Sequence, residues 1–156
     1  MEKITPFLWF DGKAEEAARF YVSIFRNSKL GEIRRWGEGG PAPKGSAMSA
    51  NFEIEGRSYI AFNGGPHFQF TPAISLFVNC DTQAEVDELS EKLCAGGEQQ
   101  PCGWLKDKFG LSWQIILTAL SNALQHKNPE KAKRAVQAMM KMKKIDIAAL
   151  EKAVAA

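Results

Sequence analysis

Phe7-Leu8-Trp9-Phe10-Asp11-Gly12-Lys13-Ala14-Glu15-Glu16-Ala17 returns, degraded, as Phe77-Val78-Asn79-Cys80-Asp81-Thr82-Gln83-Ala84-Glu85-Val86-Asp87. Phe, Asp, Ala and Glu coincide, and in both copies an apolar strand runs into the capped start of a helix. A second echo sets Gly56-Arg57-Ser58-Tyr59-Ile60 against Gly110-Leu111-Ser112-Trp113-Gln114. An internal repeat decides the architecture before any single element does. The chain reads as α+β, with tandem βαβββ units at about residues 1–66 and 72–118. Together they make one domain, 1–126, followed by a C-terminal helical extension, 127–156.

Local signals fill in each unit. A strand at about residues 4–10 leads to Asp11, which suits the N-cap of a helix over 12–25 because its carboxylate can accept free first-turn N–H groups. Glu15 and Glu16 favour the positive helix end, and Ala17, Phe20, Tyr21, Ile24 and Phe25 form a stripe at helical spacing. Asn27-Ser28-Lys29 ends the helix, and a strand follows near 30–36. A loop with Gly37, Gly39, Gly40, Pro41, Pro43 and Gly45 precedes the hairpin Ala47–Glu53 and Arg57–Phe62, turned by Ile54-Glu55-Gly56. In the second unit, strand Ala73–Cys80 meets a helix capped by Asp81 or Thr82 and ending near Cys94. Short extended pieces flank Pro101 and Trp104-Leu105. Asp107-Lys108-Phe109-Gly110 fits a turn with Asp first and Gly fourth, delivering strand Leu111–Leu117. The span from Asp11 to Gly56 is 45 residues and that from Asp81 to Gly110 is 29, a difference for which the Gly/Pro-rich loop can largely account. In the tail, Asn128-Pro129-Glu130 starts a helix with Pro at its first position, and Ala132, Val136, Met139 and Met140 make its apolar stripe. Asp146 can cap a last helix through Ala153. These helices have too little apolar surface to fold alone, so they are expected to pack on the sheet edge or on a second subunit.

Composition bounds the function. With 156 residues, 45% hydrophobic and 24% charged, the chain has the makeup of a soluble globular protein. No apolar run approaches the ~20 residues of a membrane helix, and no signal-peptide pattern is present. Three cysteines without metal-like spacing point to reduced thiols in a cytoplasm. Residues 127–156 carry eight Lys/Arg and three Asp/Glu, a surplus of five, which leaves −3 on residues 1–126 of the net +2. Such a tail can attract nucleic acid, but a solvated helix face accounts for it more simply.

Several stretches resemble the vicinal oxygen chelate superfamily, which includes glyoxalase I, bleomycin-resistance proteins and extradiol dioxygenases. They are Ile4-Thr5-Pro6-Phe7-Leu8-Trp9-Phe10-Asp11-Gly12, Asn63-Gly64-Gly65-Pro66, and Cys102-Gly103-Trp104-Leu105-Lys106-Asp107-Lys108-Phe109-Gly110-Leu111-Ser112-Trp113-Gln114, with Ala138 to Asp146 in the tail. The nearer likeness is to its PhnB-like branch, often labelled 3-demethylubiquinone-9 3-methyltransferase-like. The resemblance implies strands curled into two half-barrels around a cavity, and a homodimer. It also implies four inward positions where metal-using members carry His or carboxylate, which fall here on Ile4, Ile60, Ile74 and Gln114. A register shifted by one gives Thr5, Ala61, Ser75 and Ile115. Neither set suits a divalent ion, which needs imidazole, thiolate or carboxylate donors, so no metal and no cofactor are expected. Gly37–Gly40 and Gly64-Gly65 lie between strands, unlike the strand-to-helix turn of the commonest dinucleotide-type fold.

The candidate site residues follow from this reading. Gln114, at an inward position, is expected to be a buried amide that either orients a ligand in an apolar cavity or bonds neighbouring backbone or water, and Ser112, Ser58 and Ile60 share its strand parity or that of its repeat partner. Cys102 offers a thiol, although no histidine is near in sequence to hold it as thiolate. His67, at the junction of the units, offers an acid or base. Trp36, Phe62, Phe68, Phe70 and Trp104 can supply aromatic walls. The expected function is metal-independent binding of a small molecule. One alternative is a metal-free enzyme performing proton or group transfer, and another is an adaptor working through the basic tail.

Overall fold

In the computed structural model, which describes residues 2–156, both copies of the repeat become a strand followed by a helix. The chain divides into two units, 1–70 and 71–156. The first contains β1 (Phe7–Phe10), α1 (Ala14–Ile24), β2 (Ser28–Arg35), β3 (Ala47–Ile54) and β4 (Arg57–Asn63). Its sheet has the order β1-β4-β3-β2, with β1 parallel to β4 and the other pairs antiparallel. Glu55 and Gly56, both at positive φ (48° and 78°), make the two-residue turn between β3 and β4, a geometry whose twist matches that of a hairpin.

Side-chain alternation places one face of this sheet against α1. Ala14, Ala17, Ala18, Tyr21 and Ile24 on the helix are buried, as are Leu8, Phe10, Ala50, Phe52, Ile54, Tyr59 and Ala61 on the strands. Phe52 and Tyr59, opposite each other in register, stack at 5.3 Å. The other face carries Phe7, Trp9, Ser58, Ile60 and Phe62, so Ser58 and Ile60 do share parity.

The second unit contains β5 (Ser75–Cys80), α2 (Gln83–Cys94), β6 (Glu98–Gln99), β7 (Trp104–Lys106) and β8 (Ser112–Leu117), then α3 (Thr118–Leu124), α4 (Pro129–Met140) and α5 (Ile147–Ala155). The sheet order β5-β8-β7-β6 repeats that of the first unit. So does the register, with Phe7 opposite Ile60 and Phe77 opposite Gln114. The repeat therefore makes Ile60 and Gln114 structurally equivalent.

Several expectations are corrected. β1 begins at Phe7 because Pro6 has no N–H to extend the ladder, and Ile4 lies outside it, 85% exposed. Ile74 likewise precedes β5 in a turn where its N–H donates to Thr71 O (3.4 Å), and it is 57% exposed. Neither is an inward strand position. Asp11 does not cap α1: Gly12 turns the chain at φ 73°, and Lys13 stands at the cap without a side-chain bond. In α4 the buried residue is Ala135, while Val136 and Met140 of the expected stripe are exposed. The face turned inward is set by packing on α3 and α5.

Three caps match the sequence. Thr82 Oγ1 accepts from Glu85 N–H, Asn128 Oδ1 from Glu130 N–H, and Asp146 Oδ1 from Ala149 N–H. The linker from α4 to α5 is fastened to its own unit. Cys102 and Gly103 N–H donate to Met142 O (2.9 Å) and Lys143 O (2.7 Å). The Gln83 amide donates to Ile145 O (2.8 Å) and accepts from Ile147 N–H (2.7 Å). Lys144 reaches Asp87 at 2.8 Å, and hydrogen bonds from Lys144 and Gln83 hold that carboxyl below its ordinary range.

The Asp107 turn rests on a buried carboxylate. Asp107 is 2% exposed. Its Oδ1 accepts from Phe109 and Leu111 N–H (2.9 and 3.0 Å), and its Oδ2 from Trp113 Nε1–H (2.9 Å). Asp107→Asn would turn a donor toward the indole N–H and should cost about 1–3 kcal/mol of unfolding free energy in urea titration. Asp107→Ala, which orphans all three donors, should cost about 3–5 kcal/mol. A change within about 0.5 kcal/mol for both would contradict this account.

Candidate functional site

Asn63, the last residue of β4, organises the first unit around one amide. Its Oδ1 accepts from Ala14 N–H (2.8 Å), supplying the cap that Asp11 does not, and its Nδ2 donates to Ala47 O (3.0 Å) at the start of β3. The next residue, Gly64, lies under the Trp9 indole, where an added Cβ would fall 2.2 Å from a ring carbon. Trp9 Nε1–H donates to Gly65 O (2.9 Å), and Phe62 and Phe68 meet the indole edge-on at 5.4 and 5.0 Å.

The Gly/Pro-rich loop after β2 forms a second wall. It is closed at its base by Trp36 N–H to Ser46 O (2.9 Å) and Gly45 N–H to Trp36 O (2.8 Å). Arg35 is held between Gly45 O and the Glu15 carboxylate, each at 3.3 Å, and Glu15 also accepts from Arg19 at 3.0 Å. Between these walls is a cavity of about 700 Å³, bounded by Trp9, Trp36, Phe62, Arg35, Glu15 and Asn63, with Asp11 and His67 also in its lining. Its size and its aromatic walls with few polar groups are those of a small-molecule site. All of its lining residues belong to the first unit.

The sequence-derived candidates are distributed as follows. His67 is an exposed residue of the cavity lining, and Trp36 and Phe62 form walls. Phe68 packs on Trp9, and Phe70 meets Phe10 edge-on at 5.3 Å without lining the cavity. Ser58 borders a separate shallow depression of about 180 Å³ with Asn51 and Glu53. Ile60 is half-buried between Phe7 and Asn51 in register.

In the second unit, Gln114 lies between Phe77 and Trp104 and donates to Ser75 Oγ at 3.0 Å. Ser112 is fully buried, its Oγ without a partner among the described residues. Cys102 is half-buried at positive φ (63°) in a 3₁₀ turn. Burial pushes the Cys80 thiol up to about 12, helped by the Glu85 and Asp81 charges, and burial raises Cys94 too, so neither is a thiolate at neutral pH.

Trp9, Asp11, Glu15, Arg35 and Asn63 were not among the sequence-derived site residues. The legible signal was the asymmetry of the repeat, since the extra length of the first unit builds the second cavity wall. A metal fits poorly here. Ile60 and Gln114 offer no suitable donor set, Ile4 and Ile74 lie off the strands, and the described residues contain no group of three or more His, Cys, Asp or Glu that could hold an ion.

The paired βαβββ units define the vicinal oxygen chelate class, seen in a fosfomycin resistance protein of Listeria monocytogenes (17% identity, TM-score 0.53, covering 78% of this chain and 96% of that one). Within it, the chain belongs to the 3-demethylubiquinone-9 3-methyltransferase family, whose model matches residues 2–116. The PhnB protein of Bacillus cereus is 40% identical with a TM-score of 0.69, over 75% of this chain and all of that one. A Pseudomonas aeruginosa protein follows at 24% identity and TM-score 0.61, over 75% and 98%. No curated protein matches the chain.

Gly64→Ala tests the cavity wall. The new methyl would force the indole aside and break its bond to Gly65, at about 1–3 kcal/mol of stability. The Trp9 indole N–H resonance should move with it. An unchanged stability and resonance would show that Trp9 is not packed on Gly64.

Proposed function

We propose that this PhnB-like protein binds a small organic molecule in the cavity of its first unit, without a metal. The observation that carries this is a 700 Å³ space bounded by Trp9, Trp36 and Phe62, whose orienting groups are side chains rather than a metal-donor set. The family's description names a methyl transfer, but no group in the cavity is specific to that chemistry, so the reading stops at binding. Gln114, expected to orient a ligand, belongs to the other unit and does not line this cavity; one of its amide N–H groups donates to Ser75 Oγ.

His67 in the cavity lining favours one rival, a metal-free enzyme using its imidazole as acid or base. Under that reading His67→Ala abolishes a pH-dependent rate and leaves affinity intact. Exposed Phe7 and Phe77 on the sheet faces support a homodimer, and three free thiols suit a cytoplasmic setting. No helix is long and apolar enough to cross a membrane among the described residues, and the tail is read as a solvated surface rather than a nucleic-acid site.

Native mass spectrometry of freshly purified protein, paired with metal analysis, tests the proposal. The expected result is a co-purifying organic molecule that is lost on Trp36→Ala, with no stoichiometric metal. A tightly held equivalent of zinc, nickel, iron or manganese would overturn it.

A further inference from the structure

We infer that the cavity ligand is an organic cation, an amine or quaternary ammonium, recognised by the aromatic walls and the Asp11 carboxylate. This rests on the binding reading above and narrows its chemistry. The charges in and next to the cavity differ in whether they are already satisfied. Glu15 is engaged by both Arg19 and Arg35, and Arg35 is engaged by Glu15 and Gly45 O. The adjoining cations Lys13 and Lys44 face Glu16 and Glu38. The Asn63 amide is occupied on both sides by backbone. Asp11, by contrast, is a lining residue with no ion pair or hydrogen bond among the described residues. Among the described charged residues of the lining, the one without any partner is therefore negative.

The walls favour the same sign. Trp9, Trp36 and Phe62 line the cavity, and aromatic faces attract cations, indoles most strongly. An anionic ligand would compete for Arg35 with Glu15 and Gly45 O, to which the guanidinium already donates, and would face the Asp11 carboxylate as a like charge. A cation requires no such competition. Because Asp11 is exposed, its own attraction is screened by water and salt, and the rings supply the less hydrated surroundings in which it counts.

Three probes of similar size separate the outcomes: benzyltrimethylammonium, benzyl alcohol and benzenesulfonate. Each is titrated at fixed ionic strength while the indole N–H resonances of Trp9 and Trp36 are followed. The cation should bind about tenfold more tightly than the alcohol, with the sulfonate weakest. Asp11→Asn, a change at an exposed and unbonded side chain, should remove about half of that preference on a logarithmic scale, the rings supplying the rest. If the alcohol or sulfonate binds as tightly as the cation, the inference falls while the cavity reading stands. If Asp11→Asn keeps the full preference, the assignment of Asp11 is overturned. If none of the three shifts either indole at millimolar concentration, the cavity reading itself falls.

Discussion

The Asn63 amide is the constraint on which the first unit depends. An asparagine has an acceptor and a donor on one rigid plane, and here they join the first turn of α1 to the start of β3. An uncapped helix end leaves backbone N–H groups unsatisfied, and a cap drawn from the neighbouring strand fixes the helix against the sheet in both position and rotation. With α1 so placed, Glu15 stands within reach of Arg35 at the end of β2. Gly64, the next residue along, admits the Trp9 indole. Helix, sheet and cavity wall are thus set by three consecutive residues, Asn63, Gly64 and Gly65, the last accepting from the Trp9 indole N–H.

The second unit solves the same capping problem locally. Thr82, adjoining α2 in sequence, provides the oxygen that Asn63 provides from 49 residues away. The buried Asp107 carboxylate then fixes the turn into β8 through three short-range bonds. The two copies share topology and register but not the means of holding their helices. Only the first has the long loop that closes a cavity wall.

That contrast explains what could be read from the sequence. The fold was legible because strand pairing obeys period and turn chemistry, and the repeat supplied both twice. The local caps Thr82, Asn128 and Asp146 were legible because donor and acceptor lie within three residues. Asn63 was not, because its partners are fixed only once the sheet has formed, and Asp11 carried the usual cap signature in its place. Equivalence of Ile60 and Gln114 follows from the turn glycines, whereas Ile4 and Ile74 fall outside the strands because Pro6 lacks the N–H to extend the β1 ladder and the Thr71 turn precedes β5. The cavity was half legible: Trp36, Phe62 and His67 were candidates, while Trp9, Arg35 and Glu15 meet only through long-range packing.

A cavity with one wall set by the backbone-bonded Trp9 indole and the other by a loop closed on the Trp36 main chain needs no ligand to form it, and the most direct measurement is crystallographic. Crystals of the protein soaked separately in a set of small aromatic fragments should show the fragments gathering between Trp9 and Trp36, with Asn63 and Gly64 unmoved. Fragments that gather elsewhere while this space holds only water, or an empty protein in which the loop has collapsed onto Trp9, would contradict a preformed site in the first unit.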